Sequence, residues 1–368
     1  MSRLADILRR LVDLNGPLDV GQFMALCAAH RGAGYYHRRE TIGLAGDFVT
    51  APEISQTFGE LLGLALAAFW QQAHPGQPIA LVELGPGRGT LMADLWRATA
   101  HVPGLHRAIR AVHLVEISSS LRQLQRRALR GLPLVFHEDV AELPRDLPLY
   151  LVANEFLDSL PMRQFVRTAD GLRERRVATD ESGTFRFVVD PRPLPASALD
   201  GLDLPEAGEG AVIEIAPARE ALVADLAARL AHQGGLAYLV DYGFDRPQWG
   251  DTLQAVARHR RVAPLAMPGE ADLSSHVDFA ALLRATRGSG TRRFGPVEQG
   301  RFLTRLGIET RLAMLAARAG PGRAAELEAG VRRLVDPEAM GTLFKVLAIA
   351  GAEGPVPPGF TSEEERAP

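Results

Sequence analysis

Ile79-Ala80-Leu81-Val82-Glu83-Leu84-Gly85-Pro86-Gly87-Arg88-Gly89-Thr90 is the stretch that decides the fold. The apolar run from Ile79 to Val82 predicts a buried parallel strand. It ends in an acid, Glu83, after which glycines alternate at Gly85, Gly87 and Gly89. Leu91, Met92, Leu95 and Trp96 then recur at helical spacing, so a helix begins near Thr90. Strand, glycine turn and helix N-terminus together form a crevice where a ligand can lie against bare backbone. A tight turn that binds nothing is the plain alternative for this stretch alone.

Working outward, the same rhythm repeats. Ala111 to Glu116 is a second apolar strand ending in an acid, followed by a helix that Ser118 caps. Leu134-Val135-Phe136 leads into Glu138-Asp139, and Leu149 to Ala153 runs straight into Asn154-Glu155-Phe156-Leu157-Asp158. Gly235 to Asp241 is a fifth such strand. Strands alternating with helices predict a doubly wound α/β sheet, and their polar ends share the carboxyl edge, where open sheets bind ligands.

The ligand follows from the spacing. A dinucleotide fingerprint needs G-x-G-x-x-G, and its third glycine would fall on Thr90. A pyrophosphate also gains nothing from an acid at Glu83, whereas an ammonium or sulfonium ligand does. The motif resembles the first motif of class I S-adenosylmethionine-dependent methyltransferases. On that reading Glu83 holds the ammonium, Gly85, Gly87 and Gly89 shape the turn, Glu116 accepts from ribose hydroxyls, and Asp139 receives the adenine amine. A nicotinamide-dependent oxidoreductase on the same topology is the rival, opposed by Thr90 and Glu83.

Asn154, Glu155 and Asp158 follow the fourth strand, facing the reactive methyl group in this fold. Methyl transfer requires an oriented lone pair and one managed proton. If the acceptor is a guanidinium, carboxylates that grip its N–H groups are the requirement, and Glu155 and Asp158 supply them while Asn154 positions cofactor or acceptor. Asp158 as a simple turn cap is the bland alternative.

Composition sets bounds. The 368 residues are 46% hydrophobic, enough for a sizeable core with additions. A net charge of −3 gives no basic excess for nucleic acid. Cys27 is the single cysteine, read as a buried inert thiol in a reducing compartment. No apolar run is long enough to span a membrane. His37, His74, His101, His106, His232 and His259 show no paired ligand spacing, so no metal is expected. The sequence carries no signal for an oligomeric state.

Further stretches match a known family. Gly46-Asp47-Phe48-Val49-Thr50-Ala51-Pro52-Glu53-Ile54-Ser55-Gln56 with Phe58-Gly59-Glu60, the glycine motif, Asn154-Glu155-Phe156 and Asp241-Tyr242-Gly243 all belong to the pattern. So do Gly269-Glu270-Ala271-Asp272-Leu273, His276-Val277-Asp278-Phe279 and Leu343-Phe344-Lys345-Val346. Together they resemble the MidA-like class I methyltransferases, relatives of the mitochondrial complex I assembly methyltransferase. Ser159, where the family carries Ala, is a mild departure. The resemblance implies S-adenosylmethionine as cofactor and a protein arginine acceptor, as on an NADH dehydrogenase or complex I-type subunit. A small-molecule acceptor and a non-catalytic assembly factor that keeps the cofactor are the alternatives. Tyr36 and Asp47 could fold over the site as a lid, and Asp241 and His276 are further candidates near the acceptor.

The expected organisation is an N-terminal helical cap over residues 1–78, a first core half over 79–161, a β-meander insertion over 162–211, a second core half with added helices over 212–350, and a loose tail over 351–368. The amphipathic N-terminus interleaves Asp6 and Asp13 with its arginines, unlike an acid-poor presequence, so a cytoplasmic location is expected.

Overall fold

Each apolar run that ends in a polar residue becomes a strand of one central sheet. The computed structural model describes residues 2–37, 49–195 and 204–367. In it β1 spans Ile79–Leu84, β2 Ile109–Val115, β3 Leu134–His137, β4 Leu149–Asn154, β5 Gly235–Phe244, β6 Arg292–Glu298 and β7 Phe344–Ala350. Their order is β3-β2-β1-β4-β5-β7-β6. The first five strands are parallel, and β7 lies antiparallel between β5 and β6. Leu84 is level with both Val115 and Ala153, and Asn154 with Val240, so the strand ends finish together. The winding direction reverses between β1 and β4, which opens a crevice above the glycine turn.

Helices cover both faces. On one, the helix Gln56–Ala73 buries Phe58, Leu62, Leu66 and Phe69 against Leu81, Val112, Tyr150 and Tyr238 of the sheet. Gly59 and Gly63 let the helix Thr90–Thr99 lie close beside it, since a Cβ at either would come within 2.9 Å of Leu91 or Leu95. On the other face, the helix Pro217–Gln233 packs Val223, Leu226 and Leu230 onto Ala80, Val82, Leu149 and Leu151. Among the described residues no helix is long and apolar enough to cross a membrane.

The structure departs from the expected organisation in four places. The helices Arg3–Asn15 and Val20–Ala29 pack against the insertion, where Leu4, Leu8, Phe23 and Met24 meet Met162, Val177 and Phe185. The helix Gln56–Ala73, by contrast, joins the core sheet through a broad apolar face. Val212–Ile215 pairs with Arg163–Thr168 and so completes the meander rather than returning to the core. Within the expected second core half, residues 254–274 form a separate three-stranded sheet of Gln254–Ala257, Arg260–Val262 and Asp272–Ser274. The tail is anchored: Phe360 is buried against Tyr238, Phe294 and Phe302, and Glu365–Arg366 pairs with β6. Cys27 is buried as expected, and burial pushes its thiol up to about 12.

Candidate active site

The glycine turn leaves β1 with all three glycines in the left-handed region, Gly85 at φ 61°, Gly87 at 53° and Gly89 at 86°. A side chain on Gly85 would also come within 2.7 Å of the Phe156 ring. Bare backbone is therefore required here both by conformation and by the strand end across the crevice. Gly89 caps the following helix against Leu129 and stays out of the cavity.

That cavity, of about 320 Å³, is lined by Glu83, Gly85, Gly87, Glu116, Glu138, Asn154, Glu155, Phe156 and Tyr36, among others. Glu83 is buried, and its Oε2 has no hydrogen-bond partner among the described residues. Burial, with the neighbouring Glu116 charge, pushes its carboxyl up to about 8. Glu116 is held by the backbone N–H of Ser118 at 2.8 Å and by Gln125 Nε2 at 3.2 Å, and Gln125 also donates to the Gly87 carbonyl at 2.7 Å. Burial raises Glu116 to about 7 against these donors. Two acids on adjacent strand ends thus wait for donors or positive charge.

Asp139 does not join them. It is exposed, and its Oδ1 accepts from the N–H of Ala141 at 2.7 Å as a turn cap. The preceding Glu138 lines the cavity in its place. Side chains alternate at a strand end, so a one-residue error in reading the end of β3 exchanges the two acids.

Beyond β4 the chain turns sharply. Glu155 has φ 49°, uncommon for a residue other than glycine. Its carboxylate accepts from the Ala51 N–H at 2.9 Å and from Asn154 Nδ2 at 3.0 Å. Asn154 Oδ1 is buried without a partner among the described residues. Burial raises the Glu155 carboxyl to about 7, with the Ala51 N–H opposing and Asp158 adding to the rise.

A second cavity, of about 220 Å³, meets the first at Glu155 and Tyr36. Asp158, Tyr242, Asp272, Ser274, His276 and Phe344 line it as well. Asp158 accepts from the Tyr242 hydroxyl at 2.5 Å, and Asp272 accepts from the Tyr36 hydroxyl at 3.0 Å. Burial pushes Asp158 upward against the Tyr242 hydrogen bond. His276 stands edge-on to Tyr242, with 5.4 Å between centroids, and burial lowers its basicity.

Asp241, expected near the acceptor, reaches neither cavity. It is fully buried, and its oxygens accept from the N–H groups of Leu157 at 2.9 Å, Asp158 at 3.1 Å and Tyr242 at 3.0 Å. It shapes the turn that carries Asp158. Asp47 lies outside the described residues.

Several contributors escaped sequence reasoning. Buried Arg219 donates to the carbonyls of Asp158 at 2.9 Å, Leu160 at 3.0 Å and His276 at 2.8 Å, pinning the two loops together. Gln254, Asp272 and Ser274 come from the small sheet. Their strands, Gln254–Ala257 and Asp272–Ser274, are too short for periodicity in the sequence to signal them.

A doubly wound sheet of this order, with a glycine turn and an acid at each of two neighbouring strand ends, defines a nucleoside-binding α/β enzyme. The family model for an S-adenosyl-L-methionine-dependent methyltransferase matches residues 61–297, and the chain belongs to that family. It is 35% identical to the protein arginine methyltransferase NDUFAF7, mitochondrial, of Danio rerio, over 91% of this chain and 83% of that protein. The human protein of the same name is 34% identical, over 91% of this chain and 80% of its own length. A crystal structure of a Burkholderia thailandensis protein bound to S-adenosyl-homocysteine superposes with a TM-score of 0.86 at 31% identity, covering 99% of this chain and 95% of that one. The protein is thus a methyltransferase whose cofactor is S-adenosylmethionine. The expected cytoplasmic location is corrected by these curated relatives, which are named as mitochondrial proteins.

The first cavity fits that cofactor. A buried carboxylate oxygen at Glu83 and an amide oxygen at Asn154, both unpartnered among the described residues, and open backbone at Gly85 and Gly87 are what an ammonium-bearing nucleoside needs.

Proposed function

We propose that this methyltransferase acts on the guanidinium of a protein arginine. The reading rests on one observation: the cofactor-sized cavity meets a second cavity at Glu155, and the second is walled by three carboxylates, Glu155, Asp158 and Asp272. Tyr36, Tyr242 and Phe344 supply rings around them. A planar delocalised cation suits such a wall, since carboxylates accept its paired N–H groups and aromatic faces attract its charge. The names of the relatives give the same acceptor for those proteins.

S-adenosylmethionine supplies an electrophilic methyl group on a positively charged sulfur. Glu83 would hold its ammonium, Glu116 its ribose hydroxyls, and the backbone at Gly85 and Gly87 would admit its close approach. Glu155 and Asp158 grip the guanidinium and turn one nitrogen toward the first cavity. Glu155, raised to about 7, takes up the proton that this nitrogen sheds, because a carboxylate with that affinity accepts a proton near neutral pH. Tyr242 keeps Asp158 oriented through its hydroxyl, and Asp241 and Arg219 hold the turn from beneath. Tyr36, bonded to Asp272, stands where the cavities meet and separates bulk water from the reacting groups.

Incubation with methyl-tritiated S-adenosylmethionine and paired peptides containing arginine or lysine tests the acceptor. Label is expected in arginine, as methyl-arginine after hydrolysis. Label confined to lysine or to small molecules would refute the reading.

A further inference from the structure

The wall of the second cavity is one face of the small sheet at residues 254–274. In its register Val256 lies opposite Arg261 on one side and Asp272 on the other, and Gln254 lies opposite Ser274. Side chains alternate along a strand, so these five residues share a face, and all five line the cavity. Ala255, Ala257 and Leu273 point the opposite way, into the apolar cluster with the N-terminal helices. The sheet thus orders the wall from the buried Asp272 outward to the exposed Arg261.

One charge along that wall, Arg261, is left without a partner among the described residues. Glu155, Asp158 and Asp272 each accept a hydrogen bond within the site. Arg261 makes no hydrogen bond or ion pair among the described residues, although it shares a cavity with three carboxylates. Its guanidinium is close enough to His276 to oppose protonation of that ring. A cation left exposed and unpaired at the mouth of an acid-lined cavity is a ready partner for negative charge on whatever enters.

We propose that Arg261 selects the acceptor by binding a carboxylate on a residue flanking the target arginine. The inference rests on the guanidinium reading of the same cavity. With the target side chain inserted between Glu155, Asp158 and Asp272, the neighbouring residues of the substrate lie across the mouth, where Arg261 stands. The acceptor is then a segment in which arginine is accompanied by an aspartate or glutamate nearby. Arg261 acts on substrate capture, so the effect falls on KM more than on kcat.

The test uses the full chain, S-adenosylmethionine and a panel of arginine peptides. One glutamate is placed at each of the two positions on either side of the arginine, with glutamine at the same position as control. One glutamate position is expected to raise kcat/KM about fivefold over its glutamine control, the size of an exposed ion pair. Arg261→Gln, at an exposed position, should erase that ratio, and Arg261→Glu should transfer the preference to a lysine-flanked peptide. Equal rates for glutamate and glutamine at every position would overturn the inference while leaving the guanidinium reading intact. So would a preference that survives Arg261→Gln. Free arginine serving as well as the best peptide would assign the carboxylate to the acceptor's own α-carbon and overturn the flanking-residue assignment. Failure of every arginine peptide to accept methyl would overturn the guanidinium reading and this inference together.

Discussion

Glu83→Gln should make the ligand-free protein more stable at alkaline pH while weakening its hold on the cofactor. Glu83 is buried at the end of β1 with one oxygen unpartnered among the described residues, and its carboxyl is raised from the ordinary 4.5 to about 8. The folded state therefore holds this proton more tightly than the unfolded chain does. The resulting cost is absent below the unfolded value near 4.5, grows as pH rises, and is complete above about 8. Forcing ionisation over that interval costs at most about 5 kcal/mol. Glutamine removes the titration but brings an amide that needs its own partners, so about 1–2 kcal/mol should be recovered at pH 8.5. That corresponds to a rise in Tm of about 1–3 °C, shrinking toward zero at pH 5, where the carboxyl is protonated anyway. The ligand effect runs the other way. A charge-assisted contact with the ammonium of S-adenosyl-homocysteine is worth about 1.5–3 kcal/mol, so its Kd should rise about 10- to 150-fold. Thermal melts at pH 5, 7 and 8.5, with and without S-adenosyl-homocysteine, read both effects in one series. A variant less stable than the parent at pH 8.5, or one that keeps the full ligand-induced shift, would refute the reasoning.

Three further substitutions probe the scaffold. Gly85→Ala places a Cβ 2.7 Å from the Phe156 ring at a φ of 61°, so it should cost about 1–3 kcal/mol in denaturant melts and abolish measurable S-adenosyl-homocysteine binding by calorimetry. Asp241→Ala leaves three backbone N–H groups, two of them buried, without their acceptor; it should destabilise the fold by about 2–4 kcal/mol and lower kcat through the displaced Asp158 turn. Phe360→Ala should cost about 3–5 kcal/mol despite its place near the chain's end, since the ring is buried among Tyr238, Phe294 and Phe302.

What could be read in the sequence was whatever the sheet needs locally. β1, β2, β4 and β5 are near-continuous apolar runs because parallel strands are buried on both faces, and their polar ends mark the carboxyl edge without further help. Glu83, Glu116, Asn154 and Glu155 sit at those ends and come together as that rule requires. β6 was not legible, because Gly295-Pro296 interrupts it and reads as a turn, whereas in the structure the strand simply bulges there against β7. The small sheet escapes the sequence because strands of three or four residues have little periodicity to detect, and only pairing across the chain makes them strands. Asp241 looked like another strand-end acid. Its actual task, accepting from three backbone N–H groups, is set by the turn after β4, far away in sequence. Tail residues around Phe360 read as loose because proline and glycine outnumber apolar residues there, yet one buried ring is enough to anchor them.

Glu155 is the group that joins the two cavities, and one paired measurement tests its role directly. Transfer of methyl to an arginine peptide, followed by mass spectrometry, is compared between the parent protein and Glu155→Gln, with S-adenosyl-homocysteine affinity measured on the same samples. Transfer should fall at least about 100-fold while affinity changes by no more than about threefold, because the residue grips the acceptor and takes its proton. Undiminished transfer by Glu155→Gln, with the cofactor bound normally, would contradict it.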